Sequence, residues 1–333
     1  MDTDVLQSPR PMTDSSAPSE AHQSEAHQSE AHQSKSPLAT VLSFDVEEHH
    51  RIEAAAKLTP SADSRAEYAR RMEATTYDLL ELLAAYSVRA TFYLVGEIAE
   101  SHPRLVQDIA AAGHEIGSHS HTHTNIHQLD PDRFRMEIRE SKDVLEQVSG
   151  QPVWGFRAPT FSVTRRTAWA IDLLAEEGYR YDSSIFPVRH DRYGVPDAPR
   201  TPYIAHGIAR SMLELPPLTW RRLGQNLPVA GGGYFRLFPL AMMRAGIRTM
   251  HAKPDSTPRI AMLYFHPWEF DIDQPRLPLG RLSRWRTYVG IARSRARLER
   301  LIQEHRSTFQ TAADVVTQLE PMREQLPRFG LTP

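Results

Sequence analysis

The chain has 333 residues, 24% charged and 40% hydrophobic, a composition typical of a soluble protein large enough to build a sizeable core. Its formal net charge of −2 gives no sign of nucleic-acid or anionic-membrane binding. It contains no cysteine, which excludes disulfides, a thiol nucleophile and a cysteine-based zinc centre, so any metal site must use His, Asp or Glu.

Residues 1–37 are low-complexity. SEAHQ occurs three times in succession from Ser19 to Gln33, and apolar residues are too sparse to offset the entropy of ordering the segment, so a disordered tail is expected. The repeat histidines His22, His27 and His32 recur every five residues, about 140° apart on a helix, and share no metal-binding face. The N-terminus lacks the basic start and apolar core of a signal peptide, and no run approaches the ~18 apolar residues of a membrane span. The expected localisation is cytoplasmic.

At Pro37 the composition changes. LATVLSFDV is an apolar, β-branched run that predicts a buried strand ending near Asp45. Tyr68, Met72, Leu79, Leu82 and Leu83 carry helical periodicity over 67–86. ATFYLVG predicts a second buried strand. Residues 103–112 predict a helix with proline in its first turn, ended by Gly113. HEIGSHS is a short strand running into a histidine cluster, and 131–148 is a helix with Asp130 as N-cap. PVWGFRAP predicts a strand, 166–177 a helix and YRYDSS another strand. This β-α alternation argues for an α/β protein, a parallel sheet or barrel with helices outside, whose chemistry gathers at the C-terminal ends of the strands. From 193 to 253 the pattern weakens, prolines recur, and Gly231, Gly232 and Gly233 mark a flexible or tightly turned loop. IAMLYFHPWEF holds one more strand, ending at His266, and 281–305 is an arginine-rich helical stretch whose charges suit a solvated face.

The polar residues fall at the strand ends. SFDVEEHH delivers Asp45, Glu47, Glu48, His49 and His50 together, and clustered carboxylates repel one another unless a cation offsets them. In SHSHTHTNIH, His119 and His123 can converge on one ion whether the segment is extended or helical. Two histidines, a carboxylate and an open position form a recurring catalytic metal site. Arg157 in FRAPTF could orient a carboxylate, or make a structural ion pair. His266 could be a catalytic acid, or a satisfied core histidine.

In order, the motifs are D-x-E, H-x-x-x-H, R-x-P, Y-D-S-S and L-x-x-H. With them the chain resembles the polysaccharide deacetylases of the NodB-homology family (carbohydrate esterase family 4) over roughly 38–268, most specifically in GHEIGSHSHTH and with support from FRAPTFS and YFHPWE. YDSSIFPVRHDRYGVPDAPR and NLPVAGGGYFRLFP look like the subgroup found with exosortase and exopolysaccharide gene systems, which carries a C-terminal extension. The resemblance implies a distorted (β/α) barrel: a catalytic domain at 38–270, with an irregular insertion-like region at 193–253, and a helical extension at 271–333. It also implies metal-dependent removal of acetyl groups from an N-acetylated sugar. Asp45 would be the base, Arg157 its orienting partner, His266 the general acid and Asp182 the support of His266. His119 and His123 would bind a divalent metal, expected to be Zn2+.

The family's common motif has two adjacent aspartates, and here Val46 follows Asp45. With the acids spaced by one residue, Glu47 becomes the third ligand, as strand alternation favours, with Glu48 as the fallback. His121 reads as a residue behind the ligands or exposed, with a ligand role left open. A backbone N–H near Thr160 would face the oxyanion, and Phe161, Tyr193, Tyr234 and Trp268 could contact sugar or belong to the core. The implied partners are an acetylated polysaccharide or a lipid-linked oligosaccharide, with association to membrane-bound polysaccharide machinery open and no nucleic acid. Two rivals stand beside this reading: a metal-dependent amidohydrolase acting on a small amide, and a non-catalytic carbohydrate-binding member of the fold.

Overall fold

The apolar run after Pro37 forms strand β1, Leu38–Val46, in which every residue but the first is buried. The structure is a computed structural model that describes residues 37–190, 192–254 and 256–332. The tail expected at 1–37 lies, but for Pro37, outside them. Further strands are β2 (Thr91–Leu94), β3 (Glu115–Ser118), β4 (Gly155–Phe156), β5 (Tyr181–Asp182), β6 (Tyr203–His206), β7 (Ser211–Glu214), β8 (Thr219–Arg222), β9 (Gln225–Pro228), β10 (Arg259–Phe265), β11 (Phe309–Gln310) and β12 (Arg328–Gly330).

The main sheet runs β10-β1-β2-β3-β4-β5-β7, parallel throughout, with β6 antiparallel on β7 and β12 parallel on β6. β1 is central, paired with β10 from Leu38↔Arg259 to Phe44↔Phe265 and with β2 from Ser43↔Thr91 to Val46↔Leu94. Strands buried on both faces read as continuous apolar runs, which is why β1, β2 and β10 stand out in the sequence. Beyond β7 the chain reaches the far edge of the sheet. Pro217 bridges Met262 of β10, and the Leu218 N–H donates to the Met262 carbonyl at 2.9 Å. The two ends of the parallel sheet therefore meet, giving a distorted (β/α) barrel.

The helices pack outside it. Ala62–Ala85 buries Tyr68, Met72, Leu79, Leu82 and Leu83 and starts before its apolar pattern does, because Ser61 caps it by accepting from the Ser64 N–H. Pro131–Ser149 is capped by Asp130 as expected and ends at Gly150 in the left-handed region, φ 67°.

Two expectations are corrected. Residues 193–253 are not irregular throughout: from Tyr203 onward they form β6 to β9 and the helices Gly232–Leu237 and Leu240–His251. The strands are only four residues long, and the β8–β9 hairpin is mostly solvated, so neither shows an apolar period. The segment after 270 is not a purely helical appendage. β11 pairs with β1 through Thr40↔Phe309, on the stretch of β1 that precedes its pairing with β2. The predicted 281–305 helix is two, Arg281–Tyr288 and Ser294–His305, divided at Gly290 with φ 77°.

Candidate active site

The C-terminal end of β1 places Asp45 and Glu47 on the cleft side, both 2% exposed, and Val46 in the core. Glu48 turns away and pairs with Arg51, which also reaches Glu97 at 2.7 Å and the Thr122 carbonyl at 3.0 Å. Glu47, not Glu48, faces the histidines: its Oε2 lies 2.6 Å from His123 Nε2.

His119 follows directly on β3. Its Nδ1 lies 2.7 Å from the Arg157 carbonyl, which can only accept, so the ring donates there and leaves Nε2 for a cation. Burial pulls its pKa down to about 4, so the ring is neutral at neutral pH, as a ligand must be. His123 has a left-handed backbone, φ 64°, and its ring sits 4.8 Å from that of His119. One ligand atom from each of Glu47, His119 and His123 lies within 4.8 Å of the others. Despite its short approach to His123, Glu47 Oε2 is buried without an aligned hydrogen bond. Burial pushes the Glu47 carboxyl up, but His123, by charge and hydrogen bond, and the His266 charge outweigh it and hold the group well below the usual carboxylate range. A carboxylate and two imidazole nitrogens converging on an unsatisfied oxygen fit a divalent cation. His121 does not join them. Its Nε2 is 3.9 Å from Glu100, and a Cβ at Gly96 would lie 2.4 Å from its Nδ1, so glycine is what makes room for that ring.

Arg157, fully buried after β4, donates to Asp45 Oδ1 at 2.7 Å, Ser43 Oγ at 2.6 Å and Ser183 Oγ at 2.9 Å, and lies 4.2 Å over the Tyr93 ring. Burial disfavours its charge, yet the Asp45 carboxylate keeps it protonated. Asp45 Oδ1 is thus fixed, and Oδ2 sits 4.0 Å from His266 Nε2.

His266 follows β10. Its Nδ1 is 2.7 Å from Glu269 Oε1, and Glu269 Oε2 accepts from Arg236 Nε at 2.7 Å. Burial lowers the His266 pKa, but Glu269, Glu47 and Asp45 together lift it to about 9, so the ring carries a proton at neutral pH. This corrects the expectation for Asp182, which does not support His266. Asp182 accepts from Ser184 Oγ and stands beside Glu214, its partner in the β5–β7 register. Glu269 and Arg236 escaped the sequence reading. Their signal was the i, i+3 spacing of His266 and Glu269 and an arginine closing AGGGYFR, where Gly231 and Gly232 press against Tyr264 of β10.

A cleft of about 160 Å3 opens on these groups, and Thr160, Phe161, Tyr193 and Trp268 all line it, as does Tyr264. Thr160 and Phe161 adopt consecutive left-handed conformations, φ 56° and 51°, a strained turn at the cleft wall. Trp268 is 7% exposed, stacks on His49 at 4.9 Å and His266 at 5.3 Å, and points Nε1 at Glu47 Oε1, 3.4 Å away. It braces the acid and the ligand rather than offering an open platform. Tyr234 does not line the cleft; its ring packs on Phe238. A second cavity of about 220 Å3, lined by His50, Asn125 and Gln128, shares Glu53, His123 and Thr160 with the first.

Two family models match the chain. Residues 65–181 match polysaccharide deacetylase, and residues 183–317 match a domain of unknown function, DUF3473. A peptidoglycan-N-acetylglucosamine deacetylase of Bacillus cereus is 36% identical over 84 residues, 25% of this chain and 30% of its own length. A chitooligosaccharide deacetylase of Rhizobium leguminosarum bv. trifolii is 32% identical over 100 residues, 30% of this chain and 44% of its own. The chain thus spans less than half the length of these relatives. Among solved structures, one from Mycobacterium smegmatis described as a candidate polysaccharide deacetylase is similar with a TM-score of 0.58 at 21% identity, covering 89% of this chain and 94% of that one. Puue allantoinase is similar with a TM-score of 0.61 at 18% identity, covering 87% and 92%. At these identities the structural likeness establishes the fold alone, the distorted (β/α) barrel expected from the sequence.

Proposed function

We propose that this chain, whose residues 65–181 match polysaccharide deacetylase, is a metal-dependent hydrolase that removes N-acetyl groups from an acetamido sugar of an exopolysaccharide or its precursor. The observation that carries the proposal is that Asp45, held by Arg157, and His266, held by Glu269, line one cleft together with Glu47, His119 and His123.

An amide is a poor electrophile and water a poor nucleophile. Glu47, His119 and His123 would hold a divalent cation, with Zn2+ the ion proposed, which would polarise the acetyl carbonyl and lower the pKa of a bound water. Asp45 takes the proton of the attacking water through Oδ2, the oxygen that Arg157 does not hold. Arg157 holds Oδ1 of Asp45 and stops the carboxylate rotating. His266, charged at neutral pH, gives its proton to the departing sugar amine, without which collapse would expel water instead. Acetate and a free amino sugar result. The adjoining polar cavity favours an oligosaccharide over a small amide, because it extends the cleft beyond one acetamido group. We place the enzyme in the cytoplasm, acting on a lipid-linked oligosaccharide before export.

The test is acetate release from N-acetylglucosamine oligomers by metal-stripped and Zn2+-reloaded protein. Metal-dependent release that Asp45→Asn abolishes supports the proposal. Release from a small cyclic amide but from no oligomer turns it toward the amidohydrolase reading.

A further inference from the structure

The net charge near zero conceals an uneven distribution. Between Asp273 and Glu299 the chain has seven arginines, Arg276 to Arg297, and no acidic residue. Elsewhere on the surface arginines pair with carboxylates, as Arg135 and Arg139 do with Glu177. Arg281, Arg284 and Arg286 are exposed and make no ion pair among the described residues.

These three lie on the helix Arg281–Tyr288, whose apolar side chains also face outward. Leu282 is 60% exposed and Trp285 53%. Spaced i, i+3, they share one face, with arginines on either side. Ile272, just upstream, is 65% exposed as well. A tryptophan and a leucine left in water between unpaired guanidinium groups waste apolar area and charge alike, unless a surface that is apolar within and anionic at its face covers both.

The inner edge of the helix is tied to the candidate active site. Arg236, which holds Glu269, donates to the Thr287 carbonyl, and the Tyr288 ring meets His49 edge-on at 5.5 Å. His49 in turn stacks on Trp268 at the cleft.

We infer that the face built by Leu282, Trp285 and the surrounding arginines docks on an anionic lipid surface. Tryptophan and leucine enter the headgroup boundary, where an amphipathic indole is most stable, and guanidinium groups bind the lipid phosphates. Because the helix adjoins the supports of His266, docking brings the cleft to the lipid surface, where an amphiphilic substrate would be concentrated. The inference does not depend on the reaction catalysed in the cleft.

The test is co-sedimentation of the full-length protein with phosphatidylglycerol-rich vesicles and with pure phosphatidylcholine vesicles. Binding to the anionic vesicles only is expected. Leu282→Ser with Trp285→Ser should weaken it roughly tenfold, and Arg281→Gln with Arg284→Gln and Arg286→Gln roughly 100-fold. All five positions are exposed, so both variants should keep the wild-type melting temperature, which checks that they fold. Absence of binding to anionic vesicles overturns the inference. So does binding that the Leu282 and Trp285 substitutions leave unchanged and that a soluble polyanion such as dextran sulfate matches, which would assign the face to an acidic polymer.

Discussion

Each reacting group in the cleft is held by a residue that takes no part in the chemistry. Glu269 is the clearest case, since it binds Nδ1 of His266 and is itself fixed by Arg236. Replacing His266 by alanine removes the proposed acid and should lower kcat on the order of 100-fold or more. Glu269→Gln keeps the shape but not the charge. It should cost about tenfold in kcat with KM little changed, as steady-state kinetics would show, because the ring is still present but less strongly held and less basic. A KM effect alone would place Glu269 in substrate binding. The pair of Asp182 and Glu214 makes a different prediction. Burial raises both carboxyls, Asp182 to about 6 and Glu214 well above its ordinary value, and each keeps one buried oxygen without a hydrogen bond. A raised folded pKa means that the native state binds more protons than the unfolded chain. The contribution to stability is then complete below the unfolded value and lost as pH rises through the folded one. The pair's own share of the stability should fall as pH rises from about 4 to beyond 6, opposite in sign to that of a buried neutral histidine such as His119. Glu214→Gln removes the like charge and should flatten that fall; an unchanged slope would mean that the pair does not govern it.

The glycines before Arg236 show how an element is aimed. A Cβ on Gly231 would lie 1.6 Å from the Tyr264 carbonyl, whereas Gly233 is exposed and nearest the flexible end of Arg236, at 3.8 Å. Gly231→Ala should therefore destabilise the protein by about 1–3 kcal/mol or more and loosen Arg236, whereas Gly233→Ala should be near neutral in urea denaturation. Equal effects would mean that the close approach to β10 is not what requires glycine. The same segment marks the limit of what the sequence reveals. β1, β2 and β10 are legible because they are mostly apolar on both faces; Asp45, Glu47 and His266 are legible because they stand where those runs stop, and His119 and Arg157 because they follow the short strands β3 and β4 within recognisable motifs. The four strands from Tyr203 to Pro228 are too short to show a period, β8 and β9 are largely solvated as well, and the arginine that closes AGGGYFR does not by itself say that it will meet Glu269, 33 residues away. β11 is two residues long and was hidden in a stretch that reads as helix. Glu48 and Glu47 are chemically alike, and the alternation that points Glu47 the same way as Asp45 separates them, while Glu48 pairs with Arg51.

At the scale of the molecule, the proposed chemistry crosses the boundary between the matched regions. Asp45 and Glu47 precede the deacetylase match; His119, His123 and Arg157 lie within it; Arg236, His266 and Glu269 belong to the DUF3473 match. The sheet is shared in the same way, since β10 pairs with β1 over seven consecutive residues and β11 adds to β1 from still further along the chain. Residues 183–317 are therefore part of the barrel wall and not an accessory to a finished enzyme. A chain ending at residue 190 would leave one long side of β1 unpaired and expose the apolar side chains that β10 covers, a cost of several kcal/mol against a total stability of about 5–15. It should show no cooperative thermal transition and no defined Zn2+ stoichiometry, even though all three proposed ligands remain in it. Full-length His266→Asn separates chemistry from folding: it should melt cooperatively and bind one Zn2+, yet release no acetate. A sharp transition together with stoichiometric Zn2+ binding in the shortened chain would instead make residues 38–190 a self-sufficient metal-binding domain, and would confine the second region to supplying the acid.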